Sequence, residues 1–448
     1  AMRPHTDLIR RRLASGGATP SQLIDLIKLS QPSLSRALHQ LGPDLVRVGA
    51  ARSIQYFLRD GSRDLPDLSI HRVDHNGVLQ YLGRLIPVRP EGFITLPENG
   101  TATHSEGLPW WLHDMRPQGY LGRAYAMRHA HALGVPMSLN DWSDTHALRA
   151  MLLHGHDMVG NLLVGEIARD RFVQSIVAEP VSPDQKREQY TVLAQQAANG
   201  EPAGSSAGGE QPKFTAYATT SNGARHVIVK FSETESGPVT ERWRDLLLAE
   251  HLALLTLREA GLTAEHSEVI DSNTQRFLEI VRFDRVGEAG RRGMHSLAAL
   301  DAAFIGSGNG SWPVVTRALA NDGRIDVQAA AGAELLWAFG TLIGNTDMHF
   351  GNLSFIDEQG PPYSLAPAYD MTPMGFRPRS SGGLSNSLPS LKLSNEVSLA
   401  TWQQAVALAE AYLERILKHH QFSERFEPCT AALRAHLDSA QRMMRRLA

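Results

Sequence analysis

Ile343-Gly344-Asn345-Thr346-Asp347-Met348-His349-Phe350-Gly351-Asn352-Leu353-Ser354-Phe355 is the stretch on which the fold turns. An apolar helix ends at its left and a strand begins at its right, with a short polar loop between them. Within that loop Asp347 and Asn352 lie five residues apart. Catalytic loops for phosphoryl transfer use this interval to set a carboxylate against an acceptor hydroxyl and an amide against magnesium. Taken singly, each residue reads as a turn former or helix cap, so the chemistry depends on what accompanies them.

Downstream, Leu365-Ala366-Pro367-Ala368-Tyr369-Asp370 delivers a second carboxylate after a short strand, eighteen residues beyond Asn352. Asp370 and Asn352 are then candidate magnesium ligands, since Mg²⁺ takes hard oxygen donors and bridges phosphate oxygens. Upstream, His226-Val227-Ile228-Val229-Lys230-Phe231 alternates as a strand and carries a lysine suited to nucleotide phosphates. A helix expected over residues 243–260 offers Glu250 as its partner. Before that strand lies Ser205-Ser206-Ala207-Gly208-Gly209-Glu210-Gln211-Pro212-Lys213, whose glycines let backbone N–H groups close on an anion. Alone, a Gly-Ser tract is a flexible linker and a strand lysine an edge guard. In this order the four elements specify a phosphoryl-transfer site.

The 448 residues are 42% hydrophobic and 20% charged, which describes a globular chain of two to four domains. No stretch reaches the ~20 uninterrupted apolar residues of a membrane span. The first residues lack the apolar segment of a secretory signal, so we expect a soluble protein of the bacterial cytoplasm. The single cysteine, Cys429, reads as a packed helical thiol, and the 19 histidines are scattered, with His419-His420 diverging on any helix. A dedicated histidine metal site is not expected.

The net charge of −3 hides an asymmetry. Residues 1–60 hold nine Lys or Arg against four Asp, so a nucleic-acid partner should meet this end first. Residues 6–15, 21–29 and 31–41 read as three helices, followed by alternating segments at 44–49 and 54–58 that pair as a hairpin. That is a winged helix-turn-helix. Its third helix would present Ser33, Ser35, Arg36 and His39 to the major groove, with Arg47, Arg52 and the run Arg10-Arg11-Arg12 on phosphate. The other reading of this fold is a protein-docking module; the placement of the charge favours DNA. Such units often dimerise on palindromes, which makes a homodimer one expectation.

These motifs resemble those of the HipA-like serine/threonine kinases, the toxins of bacterial toxin-antitoxin modules. Residues 206–213 fit that family's S-x-G-G-x-x-P-K loop, Asp347 to Asn352 its D-x-H-x-x-N, Tyr369-Asp370 its Y-D pair, and Arg282-Phe283-Asp284-Arg285, with His295 downstream, its R-F-D-R element. The resemblance covers most of residues 65–448. It implies ATP and Mg²⁺ as cofactors, Asp347 as catalytic base, Asn352 and Asp370 on the metal, and Lys230 on the phosphates. It also implies that Gly208, Gly209, Glu210, Gln211, Pro212 and Lys213 cradle the triphosphate and that backbone groups of Val281, Arg282 and Phe283 hold adenine. His349, Phe350, Gly351 and Tyr369 would lie nearby. Family members autophosphorylate a serine of the glycine-rich loop, a place occupied by Ser206 with Ser205 beside it. Their known targets are aminoacyl-tRNA synthetases, which implies a translation component as substrate.

Two departures stand out. Val281 replaces a frequently acidic residue ahead of R-F-D-R, and the N-terminal winged helix resembles the single-chain branch that includes HipH, or YjjJ, rather than members that rely on a separate antitoxin. The expected architecture is α+β: a winged helix over 1–62, a small α+β subdomain over 63–150, and a two-lobed protein-kinase-like fold with its N-lobe over 151–290 and a mainly helical C-lobe over 291–448. Two rival functions remain: a DNA-binding regulator whose kinase fold only senses nucleotide, and a magnesium-dependent nuclease, which would need neither Lys230 nor the glycine-rich loop.

Overall fold

A computed structural model describes residues 3–448 except 177, 201–209 and 274. Ser205, Ser206, Gly208 and Gly209 therefore lie outside the described residues.

The chain opens with helices Arg3–Ala14, Pro20–Ile27 and Gln31–Leu41, followed by strands Leu45–Val48 and Gln55–Leu58 paired antiparallel with Leu45 opposite Leu58. Thr19 starts the second helix with a reciprocal capping box to Gln22, and Pro20 fills the first turn, where a missing N–H costs nothing. Ile9, Leu13, Leu23, Leu34, Leu38 and Leu58 close one small core. The outer face of the hairpin is not free: Val46, Val48 and Phe57 bury themselves against Ile86, Val88 and Ile94 of the next sheet.

That sheet has five antiparallel strands in the order Thr103–Ser105, Gly92–Pro97, Leu79–Val88, Leu68–Val73, Leu162–Val164. The expected boundary at 150 falls inside the helix Asp144–His154, and the fifth strand comes from beyond it.

Next, strands Ser267–Ser272, Gln275–Val281, Gly223–Phe231 and Lys213–Thr220 form an antiparallel sheet in that order. The helix Lys186–Asn199 covers one face through Tyr190, which packs with Phe214 and Phe277. The long helix Pro238–Glu259 backs the other. Its Leu, Ala and Glu250 side chains are buried on both sides because it is wedged between the sheet and the helical C-terminal region.

Helices Trp312–Asn321, Val327–Leu342, Leu399–Lys418 and Glu427–Leu447 build that region around the largest core, with a three-stranded sheet of Gly293–Ser296, Ser354–Asp357 and Ser364–Leu365 at its front. Asp326 caps Val327–Leu342 by accepting from the Ala329 N–H at 2.6 Å. Gly344 ends it with φ +78°, and a Cβ there would meet Leu388 at 2.5 Å, so only glycine turns the chain into the loop. Cys429 is buried in the last helix, and burial pushes its thiol up to about 11. No helix is long and apolar enough to cross a membrane among the described residues.

Candidate active site

A cleft of about 300 Å³ lies where the four-stranded sheet faces the loops of the C-terminal region. Lys213 and Lys230, opposite each other on paired strands, line it from the sheet, and Asp347, Asn352 and Asp370 line it from the loops. Gln118 to Leu121, at the start of the helix Gly119–Leu133, close one side.

Lys230 is 4% exposed and Glu250 is fully buried. The Lys230 Nζ donates to Glu250 Oε1 at 2.7 Å and Oε2 at 3.0 Å, and also to Asp370 Oδ1. Burial alone would lower the ammonium; the Asp370 and Glu250 carboxylates outweigh it and hold Lys230 above the ordinary lysine value. Burial would raise Asp370, but Lys230 and Lys213 together hold it low and ionised. Lys213 is held below its usual value, chiefly by burial, although Asp370 is near. The pairing of Lys230 with Glu250 was anticipated from strand and helix order; the third member, Asp370, comes from 140 residues further along.

Asp370 stands at φ +52°, in the left-handed region that non-glycine residues rarely occupy. Asn345, 5% exposed, ties the two acidic loops together. Its Oδ1 accepts from the Asp347 N–H at 3.2 Å, and its Nδ2 donates to the Asp370 carbonyl at 3.4 Å. Sequence reasoning missed this residue, since an asparagine at a helix end reads as a cap. Asn352 donates its Nδ2 to the Asp347 carbonyl at 2.7 Å, which leaves its Oδ1 for a cation. Trp312 Nε1 holds the His349 carbonyl at 3.2 Å, and the Tyr369 hydroxyl donates to the Gly351 carbonyl at 2.6 Å.

The donor set fits magnesium. Asp370 and the Asn352 Oδ1 are hard oxygens in one cleft, and Mg²⁺ keeps most of its shell as water and phosphate rather than protein. No cluster of three His, Cys, Asp or Glu side chains forms a protein-only metal cage among the described residues.

Several expected site residues sit differently. The Val281 and Arg282 N–H groups are spent on the His266 and His226 carbonyls at 3.0 and 2.9 Å, so neither is left for adenine. The Arg282 guanidinium instead pairs with Asp284 at 3.0 Å. Asp284 also binds Arg285 at 2.9 Å and the Gly160 N–H at 3.0 Å, locking this element to the end of the middle region. Phe283 stacks on Tyr369 with ring centroids 5.9 Å apart. Phe350 packs into the main core rather than lining the cleft. The Pro212 carbonyl accepts from the Phe231 N–H, and Glu210 pairs with Arg123 at 2.5 Å. Glu210, Gln211, His349 and Gly351 do line the cleft. His295 lies elsewhere, bonded to Asp357 at 2.8 Å.

At the N-terminus, Ser35, Arg36 and His39 are exposed along the third helix, and Arg47 and Arg52 are exposed on the hairpin. Ser33 is half-buried and bonded to Ser30 at 3.1 Å. Two members of the arginine run are committed. Arg12 donates to the Gly16 and Gly17 carbonyls and Arg10 pairs with Asp44 at 2.9 Å, since both sit where helix ends and a neighbouring acid claim them.

Residues 65–173 match the family model described as the YjjJ-like toxin, middle domain, and residues 205–437 match the HipA-like C-terminal domain. The chain is 38% identical over 416 residues to Toxin YjjJ of Escherichia coli (strain K12), covering 92% of this chain and 93% of that one. Among solved structures it is similar to HipA of Shewanella oneidensis MR-1, solved with HipB and operator DNA. That match has a TM-score of 0.50 at 17% identity and covers 83% of this chain and 96% of that one. A second is the Helicobacter pylori proinflammatory kinase CtkA, with a TM-score of 0.36 at 15% identity, over 53% of this chain and 92% of that one.

Proposed function

Because the chain belongs to the YjjJ-like toxin family, whose C-terminal portion is a HipA-like domain, we propose that it is a serine/threonine protein kinase that transfers the ATP γ-phosphoryl group to a protein hydroxyl. The observation that carries this reading is the convergence of Lys230, Asp347, Asn352 and Asp370 on one cleft, with Lys230 held between Glu250 and Asp370.

Lys230 would meet the nucleotide phosphates with its charge fixed by two carboxylates. Asp347 would orient the acceptor hydroxyl and take its proton as the oxygen attacks the γ-phosphorus and the bond to the β-phosphate oxygen breaks, releasing ADP. Magnesium, held by Asn352 and Asp370, would neutralise charge on the transferring group. The Phe283 N–H, which makes no hydrogen bond with any described residue, is the remaining backbone donor of the Val281–Arg282–Phe283 trio for adenine.

Substrate, localisation and regulation follow the same reading: a cytoplasmic kinase acting on a translation component such as an aminoacyl-tRNA synthetase, silenced by autophosphorylation at Ser206 or Ser205. The N-terminal three-helix and hairpin unit, read as a winged helix, would bind DNA through Ser35, Arg36, Arg47 and Arg52. The relative from Shewanella was solved with DNA and an antitoxin; here the DNA-reading element would lie on the same chain.

Intact-mass spectrometry after incubation with Mg-ATP tests the kinase. Phosphate on Ser206 or Ser205 in wild type and none in Asp347→Ala is the expected result. Nucleotide binding without any phosphate gain would leave a nucleotide-sensing regulator, and DNA cleavage surviving in Lys230→Ala would leave a nuclease.

A further inference from the structure

A second cavity, about 290 Å³, lies where the five-stranded sheet meets the three-stranded sheet of the C-terminal region. It shares no lining residue with the nucleotide cleft. Its size places it at the small end of ligand pockets, which run about 300–1,000 Å³. Trp110, Trp111, Leu82, Met294 and Tyr363 give it a mainly apolar, aromatic wall. The Trp110 ring is fixed between His295 and Phe304, with centroids at 4.7 and 5.0 Å, so that wall is preformed.

Four ionised side chains reach the lining, and three already have partners. Arg84 pairs with Asp67 at 3.2 Å. Asp114 accepts from the Ser296 N–H at 2.7 Å and hydroxyl at 2.6 Å. Asp357 is bonded to His295 at 2.8 Å and accepts from the Gly360 N–H at 3.0 Å. The fourth, Arg72, projects from a strand inside the five-stranded sheet, where its backbone pairs with Gln80 and Leu162. It is half-buried, and its guanidinium makes no hydrogen bond or close ion pair with any described residue, although its charge acts on Asp357 and Tyr363 across the same lining.

The hydrogen-bonding edge of that guanidinium is left for a ligand in the same cavity as Trp110 and Trp111, and its planar fork suits a carboxylate taken by two parallel hydrogen bonds. Asp114 and Asp357 on the same lining repel a doubly charged phosphate twice as strongly as a carboxylate, so a single negative charge suits Arg72 better. We propose that this cavity binds a small aromatic carboxylate, its ring against Trp110 and Trp111 and its carboxylate on Arg72. The site is independent of the phosphoryl-transfer reading.

The test titrates the full chain with indole-3-acetate and phenylacetate and with their neutral amides, read by calorimetry and tryptophan fluorescence. Wild type should bind at least one acid saturably and about tenfold or more tighter than its amide, a gap of about 1.4 kcal/mol. Arg72→Gln should abolish that preference. Met294→Trp, which fills the cavity and leaves Arg72 in place, should block acid and amide alike, which keeps the test decisive if Arg72→Gln folds poorly. Equal affinity for acid and amide, binding that survives Met294→Trp, or no saturation by either acid at millimolar concentration overturns the proposal.

Discussion

Asp370 holds a left-handed backbone that costs an ordinary residue about 1–3 kcal/mol, and it keeps that conformation while its carboxylate reaches Lys230. Asparagine tolerates the same region, so Asp370→Asn should keep the fold, with Tm lowered by the lost ion pair to Lys230, while losing Mg-ATP affinity by about tenfold or more, measured by calorimetry. Asn345 acts through others: it holds the Asp347 N–H and the Asp370 carbonyl in one frame. Asn345→Ala should lower kcat by about 10²-fold through misplacement, with the KM for ATP changing far less. A purely structural role would instead lower Tm and leave kcat of the folded fraction unchanged. Asp347 and Asn352 were legible in the chain because their interval is local and chemical. Asn345 was not, because its second partner lies 25 residues away, across a strand pair.

Among the elements, Arg282-Phe283-Asp284-Arg285 changes meaning once folded. Its backbone was expected at adenine, and its charged side chains form a buried cluster of their own: Asp284 is 4% exposed between two arginines and a backbone N–H from the middle region. Burial would raise the Asp284 carboxyl, but Arg282 and Arg285 hold it well below the usual range. A depressed acid contributes stability above its unfolded value, near pH 4, and loses it only in strong acid. Asp284→Asn leaves two buried guanidinium groups short of charge and should cost about 3–5 kcal/mol, seen as a lowered urea midpoint at pH 7. A second such device is Arg242, 2% exposed, which donates to the Phe376 and Ser385 carbonyls and to Asn386 at 2.6 Å. It pins the irregular segment that follows Asp370. Neither buried charge cluster could be read from the chain, because the same residues on a surface would be solvated charge.

At the scale of the whole molecule, the N-terminal unit is seated rather than tethered. The hairpin shares a core with the middle sheet, and Asp60, 1% exposed, joins Ser62, Arg63 and Arg89 across the junction. Deleting it would expose Ile86, Val88 and Ile94, so DNA binding is better tested by charge reversal. Arg36→Glu with Arg47→Glu should weaken DNA in gel shifts, lower the salt slope by about one per arginine, and leave phosphoryl transfer intact. Two half-buried histidines shape the acid response. Burial first, and then Arg258, depresses His251 to about 4, and burial, His129 and Arg171 depress His154 to about 4. Both are neutral in the fold, whereas the unfolded chain protonates near 6.5, so thermal stability should fall as pH drops from about 6.5 toward 4, with His251→Gln flattening that slope. Spacing and periodicity along the chain were enough for the three N-terminal helices and their hairpin, the strand of Lys230 and the loop of Asp347, because each is a short-range pattern of side chains on one backbone. The closure of Lys230 between Glu250 and Asp370, the spending of the Val281 and Arg282 N–H groups, and the cavity that Arg72 shares with Trp110 and Trp111 had to wait for the fold, because burial and partnership are properties of residues brought together from distant parts of the chain.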